Sequence, residues 1–343
     1  MAASTGAVRR PGRGGPVGRF VGGLGRSREL TLVALMIVMS ALVSIGAPQF
    51  LSFENLSQVT AMAAIIAIAA VGEAMVVMTK NIDLSVESVI GLVAFLVGLI
   101  LSGGNVPVPI AWLIGIGAGL LLGMVNGAVI TIFRIPAIVV TLGTLSIFRG
   151  LVFILAGGKQ INLVDLPPGY ADLATDAVLG IPVFVIVAAV IVAIAALMLW
   201  KTHFGRQVYA VGSNVEAAAV LGIRSRLVTF AVFSLAGLLG GIAGVMWGIY
   251  FGTIYATSAS GLSLQVVAAV VVGGVTIAGG AGTVVGAALG ALFLALINNA
   301  LLVLQLPQEP LQAIYGAVIL VAVSADALLS RRQQRIATAE ARR

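Results

Sequence analysis

Ten apolar runs divide this chain, each bounded by glycine, proline or charged residues. They lie near Leu30–Ala47, Ser57–Thr79, Val86–Ser102, Val108–Phe133, Ala137–Ala156, Ile181–Trp200, Leu227–Phe251, Leu264–Ala278, Thr283–Leu304 and Leu311–Leu329. A spanning helix needs about 20 apolar residues, range about 17–25, and the runs meet or approach that length. The pattern predicts an all-α polytopic membrane protein with about ten transmembrane helices, some of them broken. Eight or eleven spans are the alternatives, because the fifth and eighth runs look interrupted. The membrane domain then covers residues 30–330, between basic tails at 1–29 and 331–343. The first run is longer than the core of a usual secretory signal, and Pro48 follows it closely, so it reads as an uncleaved span.

Charge orients these spans. Arginine and lysine gather on the cytoplasmic side of membrane proteins. Arg9, Arg10, Arg13, Arg19, Arg26 and Arg28 precede the first span, and Arg331, Arg332, Arg335, Arg342 and Arg343 follow the last. With the N-terminus inside, Lys80, Arg134 and the 201–226 loop also fall inside. The outer segments hold Glu54, Asp165, Asp172, Asp176 and Glu309, and Lys159 is their only lysine or arginine. Both termini therefore read as cytoplasmic. The formal charge of +7 reflects this topology and not a nucleic-acid partner. The Gly-, Pro- and Arg-rich segment 1–29 reads as disordered. The longest outer loop, Gly157 to Gly180, is acidic and carries Pro167-Pro168. It is either a solvated connector or a landing surface for an external partner.

Composition narrows the function classes. The chain is 60% hydrophobic and 9% charged, against about 25% charged in a soluble domain. Cysteine is absent, which removes disulfides, thiolate metal sites and a cysteine nucleophile. His203 is the single histidine and sits in a loop beside Lys201, so a histidine proton relay is not expected. The chain has no Ser/His/Asp set and no GxxxxGK[ST] loop; Gly157-Gly158-Lys159 lacks both the upstream glycine and the following hydroxyl. The expectation is a transporter subunit and not an enzyme, with no cofactor of its own, so ATP and magnesium would act on another polypeptide.

One cytoplasmic segment stands apart. In Tyr209–Ile223, YAVGSNVEAAAVLGI, Ser213-x-x-Glu216 has the form of a capping box, and Gly222 occupies a C-cap position. The spacing predicts a short stiff helix of about two turns, containing Asn214, Ala217 and Ala218. Lys201, His203, Arg206, Arg224 and Arg226 flank it. A rigid helix in a basic loop offers a surface for a soluble partner to push against.

Glycines recur every four residues at Gly115, Gly119, Gly123 and Gly127, and again at Gly240, Gly244, Gly248 and Gly252. Residues four apart share a helix face, so each ladder predicts a groove for close helix packing. Two regions also read as degenerate copies. GLLLGMVNGAVITIFRIP and GAALGALFLALINNALLVLQLP each run from spaced glycines through asparagine to a proline, with the interrupting segments KNIDLS and GGVTIAGG upstream. Such paired breaks sit near the pathway in duplicated transporters.

Polar groups at membrane depth cost about 2.5–3.5 kcal/mol each when ionised. Glu73 lies mid-span, with Lys80 two turns along; a structural pair and an inward-facing site are both open. Asp83 and Ser85 are expected to cap the helix from Val86, with Glu87 in its first turn. Arg149 would reach backbone carbonyls of a broken helix or snorkel outward. Asn126, Gln265, Asn298 and Asn299 read as interhelical ties or as the lining of a polar path suited to a sugar.

Four segments in order resemble one family. NIDLS at Asn81–Ser85, RIPAIVVTLGTLSIFRG at Arg134–Gly150, TxFGRxxYAVGSNxEAAxxxGI at Thr202–Ile223 and AAVVVGGVTIAGGAGTVVGAALGA at Ala268–Ala291 look like the ribose/xylose-type (carbohydrate uptake 2) ABC permeases. The RIPAIVVTLGTL stretch and the GGK after it look closest to the autoinducer-2 and rhamnose branches. The resemblance implies a type II-importer-like permease fold in a bacterial inner membrane, working as a homodimer or with a related permease. It also implies a cytoplasmic ATPase with two nucleotide domains and an extracytoplasmic binding protein that delivers a monosaccharide. Ser213, Asn214, Glu216, Ala217, Ala218 and Gly222 would form the ATPase-coupling helix. The family often has acidic residues near Ser263 and near Gln265, and usually glycine where Glu87 stands, so this chain departs there. Autoinducer-2 or a polyol is the alternative cargo. An ion-coupled carrier built around Glu73 is the reading from another class, and the capped cytoplasmic helix has no use in it.

Overall fold

The computed structural model describes residues 28–308, 310–321 and 324. The basic tails expected at 1–29 and 331–343 lie outside the described residues, apart from Arg28 and Glu29, and so does the end of the tenth apolar run. Helices α1 (Arg28–Gly46), α2 (Phe53–Met78), α3 (Val86–Ser102), α4 (Val108–Phe133), α5 (Ala137–Ala156) and α6 (Val183–Lys201) are followed by two short helices, α7 (His203–Ser213) and α8 (Val215–Val220). Then come α9 (Ser225–Phe251), α10 (Leu262–Val272), α11 (Val284–Val303) and α12 (Pro310–Val321). Seven of the described helices are long and apolar enough to cross a membrane: α1, α2, α4, α5, α6, α9 and α11. The apolar helices α3, α10 and α12 are shorter. The fifth run, expected to be broken, is the continuous helix α5. The eighth is broken, because α10 ends at Val272 and a turn follows.

Local chemistry explains the helix ends. Ser52, Thr202 and Thr283 accept hydrogen bonds from the backbone N–H of Asn55, Gly205 and Gly286, capping α2, α7 and α11. Pro107, Pro136 and Pro182 precede α4, α5 and α6, where a missing N–H costs no helical bond. The loop between α5 and α6 is folded. It contains two 3₁₀ turns and a two-residue hairpin, β1 (Ala177–Val178) with β2 (Ile181–Pro182). Ile161 makes a β-bridge to Ile254, and Tyr170 is buried. That burial pushes the Tyr170 phenol up to about 12, so it stays neutral at any physiological pH.

Helix α2 is the hub. Its span is 94% buried, against 11% for α1, which lies at the margin on α11. The sequence AMAAIIAIAAVG has apolar residues on every side, as a helix surrounded by others requires. α4 and α9 make the most extensive helix pair among the described residues, and glycine sets their closeness. A Cβ at Gly119 would fall on the backbone of Gly237 and Gly241, and one at Gly123 on Phe233 and Gly237. The α4 ladder therefore meets Gly237 and Gly241. The second ladder faces elsewhere: Gly240 and Gly244 lie against Val89, Ile90 and Val93 of α3, and Gly248 beside Ile254. Gly252, expected as its last rung, instead ends α9 with a φ of +64°.

Candidate coupling and translocation site

The two interrupted segments meet. Between α2 and α3 the chain leaves helical geometry over residues 79–85, starting with Lys80 at φ +62°. Between α10 and α11 it turns over residues 273–283, where Gly279 and Gly280 have φ of +80° and +74°. The Gly280 N–H donates to the Met78 carbonyl at 2.9 Å. The end of α7 lies on the same junction: Lys80 Nζ donates to the Ser213 carbonyl at 3.0 Å, and Gly212 fits where a Cβ would strike Met78 and Gly280. Tyr209 Oη donates to the Gly282 carbonyl at 3.0 Å. Burial raises the pKa of this phenol, which favours the protonated, donating form.

Helix α8 projects from that junction. Its N-cap is Asn214, whose Oδ1 accepts from the Ala217 N–H at 2.9 Å. The expected Ser213–Glu216 capping box does not form. Helix α7 runs through Ser213, so Asn214, with φ −154°, is the first extended residue and takes the cap. The C-terminal expectation stands. Gly222 N–H donates to Ala219 and Ile223 N–H to Ala218, the paired bonds of a Schellman motif, with Gly222 at φ +79°. Ala218 is buried, whereas Glu216 and Ala217 are exposed and Val220 and Leu221 are 87% and 77% exposed. The helix thus shows an acid and two aliphatic side chains on its free side.

The break at 79–85 is tied from several helices. Glu73, 1% exposed, accepts from the Asp83 N–H at 3.1 Å. Asp83 Oδ1 accepts from the Ser85 N–H and hydroxyl at 2.8 and 2.6 Å. Asn126 Nδ2 reaches Ser85 Oγ at 2.8 Å, while its buried Oδ1 has no partner. Two expectations change. Glu73 does not pair with Lys80, because α2 ends at Met78 and the left-handed Lys80 leaves the helical register. Asp83 and Ser85 do not cap α3; Asp83 closes a turn on Ser85, whose side chain is spent there.

A second cluster joins α3, α5 and the start of α10. Glu87 Oε2 accepts from the Gly261 and Ser263 N–H groups at 2.9 and 3.3 Å and from the Ser263 hydroxyl at 2.9 Å. The carboxylate thereby sits at the positive end of α10. Arg149 Nη2 lies 3.5 Å from Glu87 Oε1, and Nη1 donates to the Ala256 and Ser258 carbonyls at 3.1 and 2.7 Å. Arg149 does reach carbonyls, but those of the 252–261 segment and not of its own helix. The sequence placed Glu87 in the α3 first turn and missed its partners. The signal was there, since the two unusual residues, Glu87 and Ser263, are bonded to each other.

Gln265, Asn298 and Asn299 lie apart, around a cavity of about 330 Å³ between α2, α9, α10 and α11. This cavity is near the ends of those helices that point away from α8.

A family model described as branched-chain amino acid transport system / permease component matches residues 55–323. The chain belongs to this permease family. The permease is also similar to curated proteins along most of its length. The autoinducer 2 import system permease protein LsrC of Salmonella typhi is 38% identical over 311 residues, covering 90% of this chain and 88% of its own. Those of Shigella flexneri and Escherichia coli (strain K12 / DH10B) are each 36% identical over 303 residues, covering 88% of both chains. No solved structure matches the permease significantly. As a carbohydrate-type ABC permease it is a multi-pass membrane protein, in keeping with its apolar helices.

Proposed function

We propose that this permease forms the membrane path of an ATP-driven importer for a small uncharged sugar, with autoinducer 2, the compound in the relatives' name, or a polyol as the alternative cargo. It works in a bacterial inner membrane, paired with a second copy or a related permease. A cytoplasmic ATPase with two nucleotide domains supplies ATP and magnesium chemistry, and an extracytoplasmic binding protein delivers the cargo. One observation carries the reading: α8 is capped at both ends, exposes Glu216, Val220 and Leu221, and leads directly from the α7 end that bonds the junction of both breaks. A protein driven from outside needs such a stiff handle. A self-sufficient ion-coupled carrier does not. Its candidate carboxylate, Glu73, is already engaged by the Asp83 backbone.

Co-purification tests this. The tagged permease, extracted in mild detergent, is expected to bring down an ATPase with two nucleotide domains, identified by mass spectrometry. Glu216→Lys reverses charge on the exposed side of α8 and is expected to lose that ATPase with normal permease yield. Asn214→Ala removes the cap, at about 1 kcal/mol of helix stability, and is expected to weaken the association without abolishing it. A permease that transports alone, with no ATPase, would overturn the importer reading.

A further inference from the structure

The cavity between α2, α9, α10 and α11 places unpartnered polar side chains beside open space. At the 79–85 break and around Glu87 most polar side-chain atoms have protein partners, Asn126 Oδ1 excepted. Gln265 is 7% exposed, and its Nε2 has no hydrogen-bond partner. The Asn298 side chain makes no hydrogen bond among the described residues. Both line the cavity, together with Gln58, Tyr250, Asn299 and Gln308, and the rest of the wall is apolar, Phe251 included. A buried amide without a partner costs about 1–3 kcal/mol, so a chain that keeps one here leaves it for a group that comes and goes.

The shape and charge of the cavity define that group. Its volume of about 330 Å³ lies at the small end of ligand pockets, about 300–1,000 Å³. No Asp, Glu, Lys or Arg lines it. Amides and a phenol both donate and accept, which suits hydroxyl groups. An anion would lose its hydration with no cation to replace it. The site is also held in place. Asn55 and Asn299 exchange reciprocal amide bonds at 2.9 and 2.8 Å, fixing the α11 turn that carries Asn298. Gln265 stands two residues after Ser263, which Glu87 anchors. Movement of α10 would therefore carry the Gln265 amide with it.

We propose that this cavity is a holding station for an uncharged polyhydroxylated compound of monosaccharide size, and that the Gln265 and Asn298 amides select it over charged analogues. The proposal deepens the importer reading and rests on it.

The absence of cysteine makes the test direct. Asn298→Cys and, on the exposed rim, Gln58→Cys each introduce a single thiol into the full-length permease in proteoliposomes. Labelling by neutral methyl methanethiosulfonate is followed with and without D-ribose, D-xylose, L-rhamnose or D-ribose 5-phosphate. Both thiols are expected to label. At least one neutral sugar is expected to slow labelling, by about tenfold when it stands near ten times its Kd, while ribose 5-phosphate does not. Adding Gln265→Leu is expected to keep labelling and remove the protection. Labelling untouched by all three neutral sugars at both positions would overturn the station, as would equal protection by ribose 5-phosphate. ATPase co-purification stands apart from this result. An ATPase without sugar protection sinks the station alone, and protection without an ATPase sinks the importer alone.

Discussion

Glu87→Leu is expected to destabilise the folded permease by about 3–5 kcal/mol, the usual loss when one partner of a buried ion pair is removed. The side chains of Glu87 and Arg149 are 13% and 12% exposed, so water cannot replace the missing group well. Leucine at 87 would strand the Arg149 guanidinium against its two carbonyls with no countercharge. It would also take the acceptor from the Gly261 and Ser263 N–H groups and remove the negative charge from the start of α10. Glu87→Gln keeps an acceptor oxygen and should lose less. Thermal unfolding in detergent checks the order: wild type, then Glu87→Gln, then Glu87→Leu. The double variant Glu87→Leu/Arg149→Leu is expected to recover part of the loss, because it no longer buries an unpaired cation. If the double variant is the sum of its singles, the two groups are not coupled.

Gly119→Leu is expected to prevent α4 and α9 from docking. Overpacking a core usually costs about 1–3 kcal/mol, and more where the neighbours cannot yield. Here they are the backbone atoms of Gly237 and Gly241, which no rotamer change can move aside. The expected result is loss of monodisperse protein from detergent extracts. Gly117→Leu is the matched control, two residues away on the same helix, where an added Cβ meets nothing. Equal recovery of both variants would refute the seam.

Much of this architecture is written in periodicity. Apolar runs of spanning length mark α1, α2, α4, α5, α6, α9 and α11, and glycine and polar interruptions mark both breaks. The α4 ladder was visible because its four glycines share one face. Its counterpart was not, because α9 carries two glycine faces and the face of Gly240 and Gly244 points to α3. Only the fold shows that the second four-residue pair, Gly237 and Gly241, meets α4. The cap of α8 was misplaced by one residue for a related reason. Ser213 and Asn214 both suit an N-cap, and the choice depends on how far α7 runs before it strikes the 273–283 turn. Among the polar residues, the sequence could not sort those tied to other segments from those facing open space. Glu73, Asp83, Asn126 and Arg149 are engaged in ties between helices and turns, whereas Gln265 and Asn298 face open space. That division depends on partners far away in the chain.

The meeting of the two breaks has a mechanical corollary. Lys80, from the α2–α3 break, and Gly280, from the α10–α11 break, flank Ser213, and the Met78 carbonyl accepts directly from the Gly280 N–H. A force applied at the end of α7 therefore meets the α2–α3 break and the α10–α11 break together, as a yoke and not a single lever.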